Sequence, residues 1–122
     1  MNTIKYKKLN LESDQLLLDM GCGEGRHSIG ALLETSANVI GLDLSFKDLS
    51  IANSRLNDFD LSNLDTFCTF GVGNINNIPL ESASLDAVMC SEVLEHVDSP
   101  EESIQELIRV LKPGGVMALS VP

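Results

Sequence analysis

The sequence predicts an α/β fold, one domain built on a doubly wound parallel sheet, and three observations carry that prediction. Short apolar runs alternate with amphipathic stretches at helical spacing, the pattern of βαβ units. Two of the runs, Leu16–Leu18 and Val39–Leu42, are almost wholly apolar, as strands buried on both faces are, and each ends on an aspartate, Asp19 or Asp43. After Asp19 and Met20 comes a glycine-rich loop, Gly21-Cys22-Gly23-Glu24-Gly25, that opens a helix.

Leu16–Leu18 is the first strand. In the helix after the glycine loop, Ile29, Leu32 and Leu33 fall on one face, and His27 at its start reads as structural. Val39–Leu42 is the second strand. Ser45 then caps a second helix, with Asp48 in its first turn and Leu49, Ala52 and Leu56 on its inner face. Residues 66–72, β-branched and aromatic, form a third strand closed by Gly73. The polar stretch 74–84, broken by Pro79, promises no more than a turn of helix. Leu85–Cys90 is the fourth strand. Ser99 and Glu102 form a capping box for the last helix, with Pro100 at its first position. Its apolar stripe is Ile104, Leu107, Ile108 and Leu111. Arg109 and Lys112 sit at its negative end, and Pro113-Gly114-Gly115 stops it before a fifth strand over 116–121.

The composition narrows the function classes. At 122 residues, 43% hydrophobic and 21% charged, the chain reads as one soluble domain over 1–122. No apolar run approaches the roughly 18 residues that cross a bilayer. No apolar segment follows Lys5, Lys7 and Lys8 to make a signal peptide, so a cytoplasmic location is expected. Cys22, Cys68 and Cys90 lack metal-ligand spacing and read as reduced, mostly buried thiols. A net charge of −10, with no basic patch, argues against a nucleic-acid partner.

Ligands of open parallel sheets bind at the carboxyl ends of the strands. Asp19 and the glycine loop, Asp43, Asn74, and Ser91–His96 all collect there. Glycines let the backbone approach a ligand closely, and the free N–H groups of the following helix suit an anion such as a carboxylate. A dinucleotide site would need glycine where Arg26 stands. Carboxylates at Asp19 and Glu24 would repel a pyrophosphate but suit a ligand bearing a sulfonium and an ammonium. Asp43, about twenty residues beyond Gly21, lies where a ribose diol is bound, a contact that either kind of cofactor would use.

On these residues the sequence resembles the class I S-adenosylmethionine-dependent methyltransferases, closest to the type 11 branch with the ubiquinone and menaquinone enzymes. Residues 17–25 resemble the family's first motif, 39–45 its second and 73–88 its third region, and 91–97 with 111–115 complete the set. The resemblance implies a Rossmann-like sheet in the order 3-2-1-4-5, lacking the usual sixth and seventh strands. It also implies S-adenosyl-L-methionine as cofactor and a small-molecule methyl acceptor, taking the methyl on O, N or C. Asp19, Gly21, Cys22, Gly23 and Gly25 would hold the methionine part, with Ser91 nearby, and Asp43 the ribose. Leu44 would pack on the adenine, and Asn74 and Ile75 would meet its edge. Asn74 departs from the family's usual aspartate, which weakens rather than abolishes that contact.

No residue demands a catalytic assignment, and His96 is the candidate for a base. On a helical turn Glu92, Glu95 and His96 could face one cation, an arrangement also found in relatives not known to need metal. Cys22 and Cys90 read as core-filling rather than reactive thiols. The end after the fifth strand is expected to mark a truncated core or one completed by a partner, and the exposed strand could pair two copies as a homodimer. A non-catalytic cofactor-binding or interaction module of the same fold is the alternative.

Overall fold

A computed structural model describes residues 6–9, 11–91 and 93–120. Its elements are a 3-10 turn at Tyr6–Leu9, β1 (Leu16–Met20), α1 (Arg26–Glu34), β2 (Asn38–Asp43), α2 (Phe46–Asn57), β3 (Cys68–Val72), β4 (Leu85–Ser91), a 3-10 turn at Leu94–His96, α3 (Pro100–Val110) and β5 (Leu111–Ser120). The five strands pair in parallel in the order β3-β2-β1-β4-β5, as expected.

The register explains why β1 reads as continuously apolar. Leu17 faces Val39 on one side and Ala87 on the other, and Leu18 faces Ile40 and Val88. Successive side chains enter opposite layers. Leu17 packs with Ala31, Leu32 and Tyr6 beneath α1, while Leu18 packs with Leu107 and Val110 beneath α3. Both leucines are fully buried, each contributing on the order of 2 kcal/mol of transfer free energy. Two helical layers therefore clamp β1, and its carboxyl end is the best-fixed point on the sheet.

Several sequence expectations change. Ser45 caps α2 by accepting from the Asp48 amide at 3.2 Å. Ser99 makes no side-chain cap bond on α3, so the capping box does not close, although Pro100 stands at the helix start. Leu33 and Ile108 point outward, 47% and 57% exposed. In α3 the buried positions are Ser103, Leu107 and Val110, a face rotated from the expected stripe. The third strand begins at Cys68 rather than Thr66, and no helix forms over 74–84, where turns and an Asn74–Asn77 bridge lie instead.

The largest change is at the last strand. Pro113-Gly114-Gly115 does stand outside the helix, but α3 already ends at Val110, and Leu111 is extended and pairs with Leu85. The ladder resumes at Ala87 with Val116, so the Pro-Gly-Gly segment bulges between the two pairs. A Cβ on Gly115 would lie 2.9 Å from the Asp86 carbonyl oxygen, so only glycine closes this bulge. Lys112 reaches back to Asp86 at 3.1 Å, and the same carboxylate accepts from the Leu16 amide at 2.8 Å, fastening β5 and β1 to β4. Residues 121–122 lie outside the described part.

Candidate functional site

Two cavities meet at the carboxyl ends of β1, β2 and β4, and Gly21 and Ser91 line both. The polar one, about 340 Å³, is bordered by Asp19, Cys22, Glu24, Arg26, His27 and Arg55. The other, about 470 Å³, is mainly apolar, with Met20, Leu44, Ile75, Val93 and Val97, and with Asp43, Gly73 and His96 at its edge. Each falls within the roughly 300–1,000 Å³ of small-molecule sites.

Asp19 is the buried charge of the polar lobe, 2% exposed at the end of β1. Its Oδ2 accepts from the Ser28 hydroxyl at 2.6 Å. Burial pushes its carboxyl up to about 6; the Ser28 hydrogen bond opposes this and the Asp43 charge adds to it. Burial likewise raises the thiols, Cys22 beyond its usual range and Cys68 and Cys90 to about 12, which disfavours the nucleophilic thiolate; Cys22 and Cys90 are buried and Cys68 half-buried.

The glycine loop is held by its own backbone. Gly21 and Cys22 donate to the Leu42 carbonyl at 2.7 and 3.0 Å, and Gly25 donates to Cys22. Gly23 donates to Asp43 Oδ2 at 2.8 Å, while Oδ1 of the same carboxylate accepts from the Ser45 amide at 2.8 Å. The loop amides are thus largely engaged within the chain, and the first turn of α1 carries the N–H groups expected to suit an anion. Asp43 keeps acceptor capacity, because each carboxylate oxygen takes more than one donor. Gly21 sits at φ +77°, and a Cβ there would run into the Val93 Cγ2 methyl. The missing Cβ lets Val93 of the apolar lobe close against the loop at the residue that lines both lobes.

Of the ten expected contact residues, Asp19, Gly21, Cys22, Asp43, Leu44, Ile75 and Ser91 line the cleft. Gly23 and Gly25 do not; they shape the loop, and Gly25 faces Ala52 and Phe70. Asn74 is exposed and its Oδ1 accepts from the Asn76 amide at 2.9 Å, so its place at the rim is taken by Gly73 and Ile75. His96 borders the apolar lobe with its side chain 77% exposed, Nε2 3.4 Å from Glu95 Oε1. Glu92, the third member of the candidate metal set, lies outside the described residues. Within the described residues 93–99, the helical part is a short 3-10 turn at Leu94–His96.

The electrostatic reading needs one correction. Glu24 does not stand as an uncompensated carboxylate, since Arg55 of α2 lies 3.4 Å from it. Arg26 also borders the lobe, its Nη2 3.3 Å from His27 Nε2, and His27 Nδ1 lies 3.1 Å from the Tyr6 hydroxyl. The lobe is therefore zwitterionic, with a buried carboxyl below and two guanidiniums at the rim. Arg55 gave no signal in the sequence, because its place on α2 reads as an ordinary solvated face. Val93 and Val97 were hidden in a segment without strong periodicity.

Residues 18–119 match the family described as "Methyltransferase domain". The chain is 38% identical over 107 residues to the ubiquinone biosynthesis O-methyltransferase of Dechloromonas aromatica, covering 85% of this chain and 43% of that protein. It is 34% identical over 111 residues to the demethylmenaquinone methyltransferase of Oceanobacillus iheyensis, covering 89% of this chain and 45% of that protein. The fold is similar to that of Haemonchus contortus phosphoethanolamine N-methyltransferase 2 in complex with S-adenosyl-L-methionine, with a TM-score of 0.78 and 28% identity over 91% of this chain and 26% of that one. The chain spans between 34% and 52% of the length of these and similar curated relatives.

Proposed function

The chain belongs to the methyltransferase domain family, and from that premise we propose that it is the S-adenosyl-L-methionine-binding core of an enzyme that methylates O, N or C of a small molecule. The observation that carries this reading is the two-part cleft. Its polar lobe, with a buried carboxyl, suits the charged methionine end of the cofactor, and its apolar lobe suits the adenine. Asp19 and Gly21 with Cys22 and Ser91 would border the methionine part. Gly23 and Gly25 would act by shaping the loop. Asp43, at the edge of the apolar lobe, would accept from the ribose hydroxyls, with Leu44 and Ile75 against the base. Asn74 would act at most from beyond the rim.

When bound, the cofactor would supply an electrophilic methyl group for an acceptor lone pair, its C–S bonding pair staying on sulfur. The proton released by the acceptor would leave with the products when the site opens to solvent. The chain's part is placement and exclusion of water. His96 stands on the apolar lobe, away from the charged end, and this reading gives it no proton to move. Glu95 and His96 likewise receive no metal role.

A cytoplasmic location belongs to this reading, supported by three free thiols and by the absence, among the described residues, of a helix long and apolar enough to cross a membrane. So does pairing of two copies along β5, an edge strand that exposes Val116 and Leu119. Light scattering would show a monomer if that pairing is absent.

Calorimetry with S-adenosylhomocysteine tests the main proposal. Micromolar-range binding is expected, about 8 kcal/mol at 1 μM, with no heat from NAD. A folded sample that binds neither ligand, or prefers NAD, refutes it.

A further inference from the structure

Between β3 and β4 the chain forms no helix and only an isolated bridge, so most of its backbone polar groups need partners elsewhere. Helix α3 supplies them. Ser103, Glu106 and Arg109 stand three residues apart on one face of α3 and reach successive points of that segment. The Ser103 hydroxyl donates to Asn76 Oδ1 at 2.7 Å, and Glu106 Oε2 accepts from the Ile78 amide at 2.6 Å. Arg109 donates to the carbonyls of Ile78 and Leu80 at 2.8 and 3.1 Å. We propose that Glu106 and Arg109 are positioning residues for the cofactor's base, holding residues 78–82 from behind as the backing of the apolar-lobe wall that Gly73 and Ile75 form. The inference rests on the methyltransferase reading, which puts the adenine in that lobe.

The saturation of the guanidinium gives the first argument. Arginine has five N–H donors in a fixed fork. In Arg109, Nε and Nη2 meet the two oxygens of Glu106, Nη2 also meets the Ile78 carbonyl, and Nη1 meets the Leu80 carbonyl and the Ser82 hydroxyl. Ile78 thus has both its N–H and its C=O bonded to one ion pair, as a residue in a sheet has to its neighbours. An ordinary surface pair contributes little because two flexible side chains must be held in one geometry. Here the two-point fork fixes both, and it holds the Glu106 carboxyl below the usual carboxylate range, so the pair stays charged at neutral pH.

The packing supplies the second argument. Ile75 and Ile78 are both buried and belong to one cluster with Leu107 and Val110 of α3. Pro79 Cδ lies 3.3 Å from the place a Cβ on Gly73 would take, so the residues held by the pair lie directly against the wall. Gly73 and Ile75 border the apolar lobe, while Glu106 and Arg109 do not. Any effect of the pair on a ligand must therefore pass through the wall.

Calorimetry and nuclear magnetic resonance on the full chain, with S-adenosylhomocysteine as the probe, test this. Arg109→Gln should weaken binding about tenfold. At saturating ligand its signals from Gly73 and Ile75 should differ from the native ones, while those from Gly21 and Cys22 in the polar lobe should match. A role in stability alone would leave both sets of bound signals native. Arg109→Lys keeps the charge and loses the fork, so it should resemble Arg109→Gln rather than the native chain. Glu106→Gln keeps one oxygen acceptor and should weaken binding about threefold. If Arg109→Gln does not fold, the other two variants decide by the same criteria, and if none of the three folds the pair serves the fold and the proposal is overturned. Affinity within twofold of native in a folded Arg109 variant, unchanged wall signals, or altered signals in both lobes would each overturn it and leave the methyltransferase reading standing. If the native chain itself does not bind S-adenosylhomocysteine, that reading falls and takes the positioning role with it.

Discussion

The two lobes of the cleft are built by opposite means. In the polar lobe the charged groups already have partners within the chain: Ser28 on Asp19, Arg55 on Glu24, His27 beside Arg26. A ligand there trades one set of polar contacts for another, and the net gain from each exchange is small. In the apolar lobe Leu44 stands 67% exposed beside Asp43, and Ile75, Val93 and Val97 line the wall. A ligand there removes apolar surface from water, worth roughly 25 cal/mol per Å². The apolar lobe should therefore supply most of the affinity, and the polar lobe the selectivity and the pH dependence.

The largest effect is expected where the lobes join. Gly21→Ala forces a Cβ onto Val93 at a backbone angle L residues rarely adopt. Val93 lines the apolar lobe, so its displacement and the loop strain would both disturb the site where a ligand spanning the lobes must lie. Calorimetry should show S-adenosylhomocysteine affinity falling by about two orders of magnitude, or about 2.7 kcal/mol. An affinity within threefold of the native value would mean that the lobes do not act as one site.

Asp19→Asn sharpens the contrast between the lobes. The Asp19 carboxyl is raised to about 6 by burial, so the folded state holds its proton more tightly than the unfolded chain. Its stabilising effect is present below about pH 4 and is lost as pH rises through about 6, on the order of 3 kcal/mol in all. Thermal melts should show the native chain losing stability over that window relative to the asparagine variant. Binding should run the other way. A cationic ligand stabilises the carboxylate, so native affinity for S-adenosylmethionine should rise with pH up to about 6 and level off, while the variant stays flat and weaker. Parallel pH profiles in the two proteins would remove Asp19 from the site.

These expectations show which parts of the site were legible in the sequence. Strands β1 and β2 were, because parallel strands covered on both faces must be continuously apolar and their carboxyl ends must carry the polar residues. Asp19 and Asp43 followed from that rule. The pairing of Arg55 with Glu24 was not legible, since it depends on how α2 lies over the loop, and nothing in the spacing of a solvated helix face encodes that. The limits of α3 and β5 were misread for a related reason. Pro113-Gly114-Gly115 signals a break in any element, and only the pairing of Leu111 with Leu85 shows that the break lies inside a strand. The face of α3 was misjudged because Ser103 is buried through a hydrogen bond to Asn76, which hydrophobic periodicity does not register.

A smaller effect belongs to the apolar lobe alone. Leu44→Ala removes an exposed side chain, so the fold should lose almost nothing in a thermal melt. Affinity for S-adenosylhomocysteine should fall about tenfold, or about 1.4 kcal/mol, with its pH profile unchanged. A changed profile would mean that the two lobes are electrostatically coupled rather than divided in labour.

The smallest effect is expected at Asn74, where the sequence alone points to a direct contact with the adenine edge. Asn74 is exposed, its Oδ1 already accepts from the Asn76 amide, and it does not line the apolar lobe. Aspartate in its place keeps that acceptor and adds only a solvated charge, which is screened over about 10 Å at ordinary salt. Asn74→Asp should therefore change S-adenosylhomocysteine affinity by less than threefold. A tenfold gain would place the side chain against the ligand after all. It would mean that the 74–77 turn rearranges on binding, and that the apolar lobe is less preformed than the polar one.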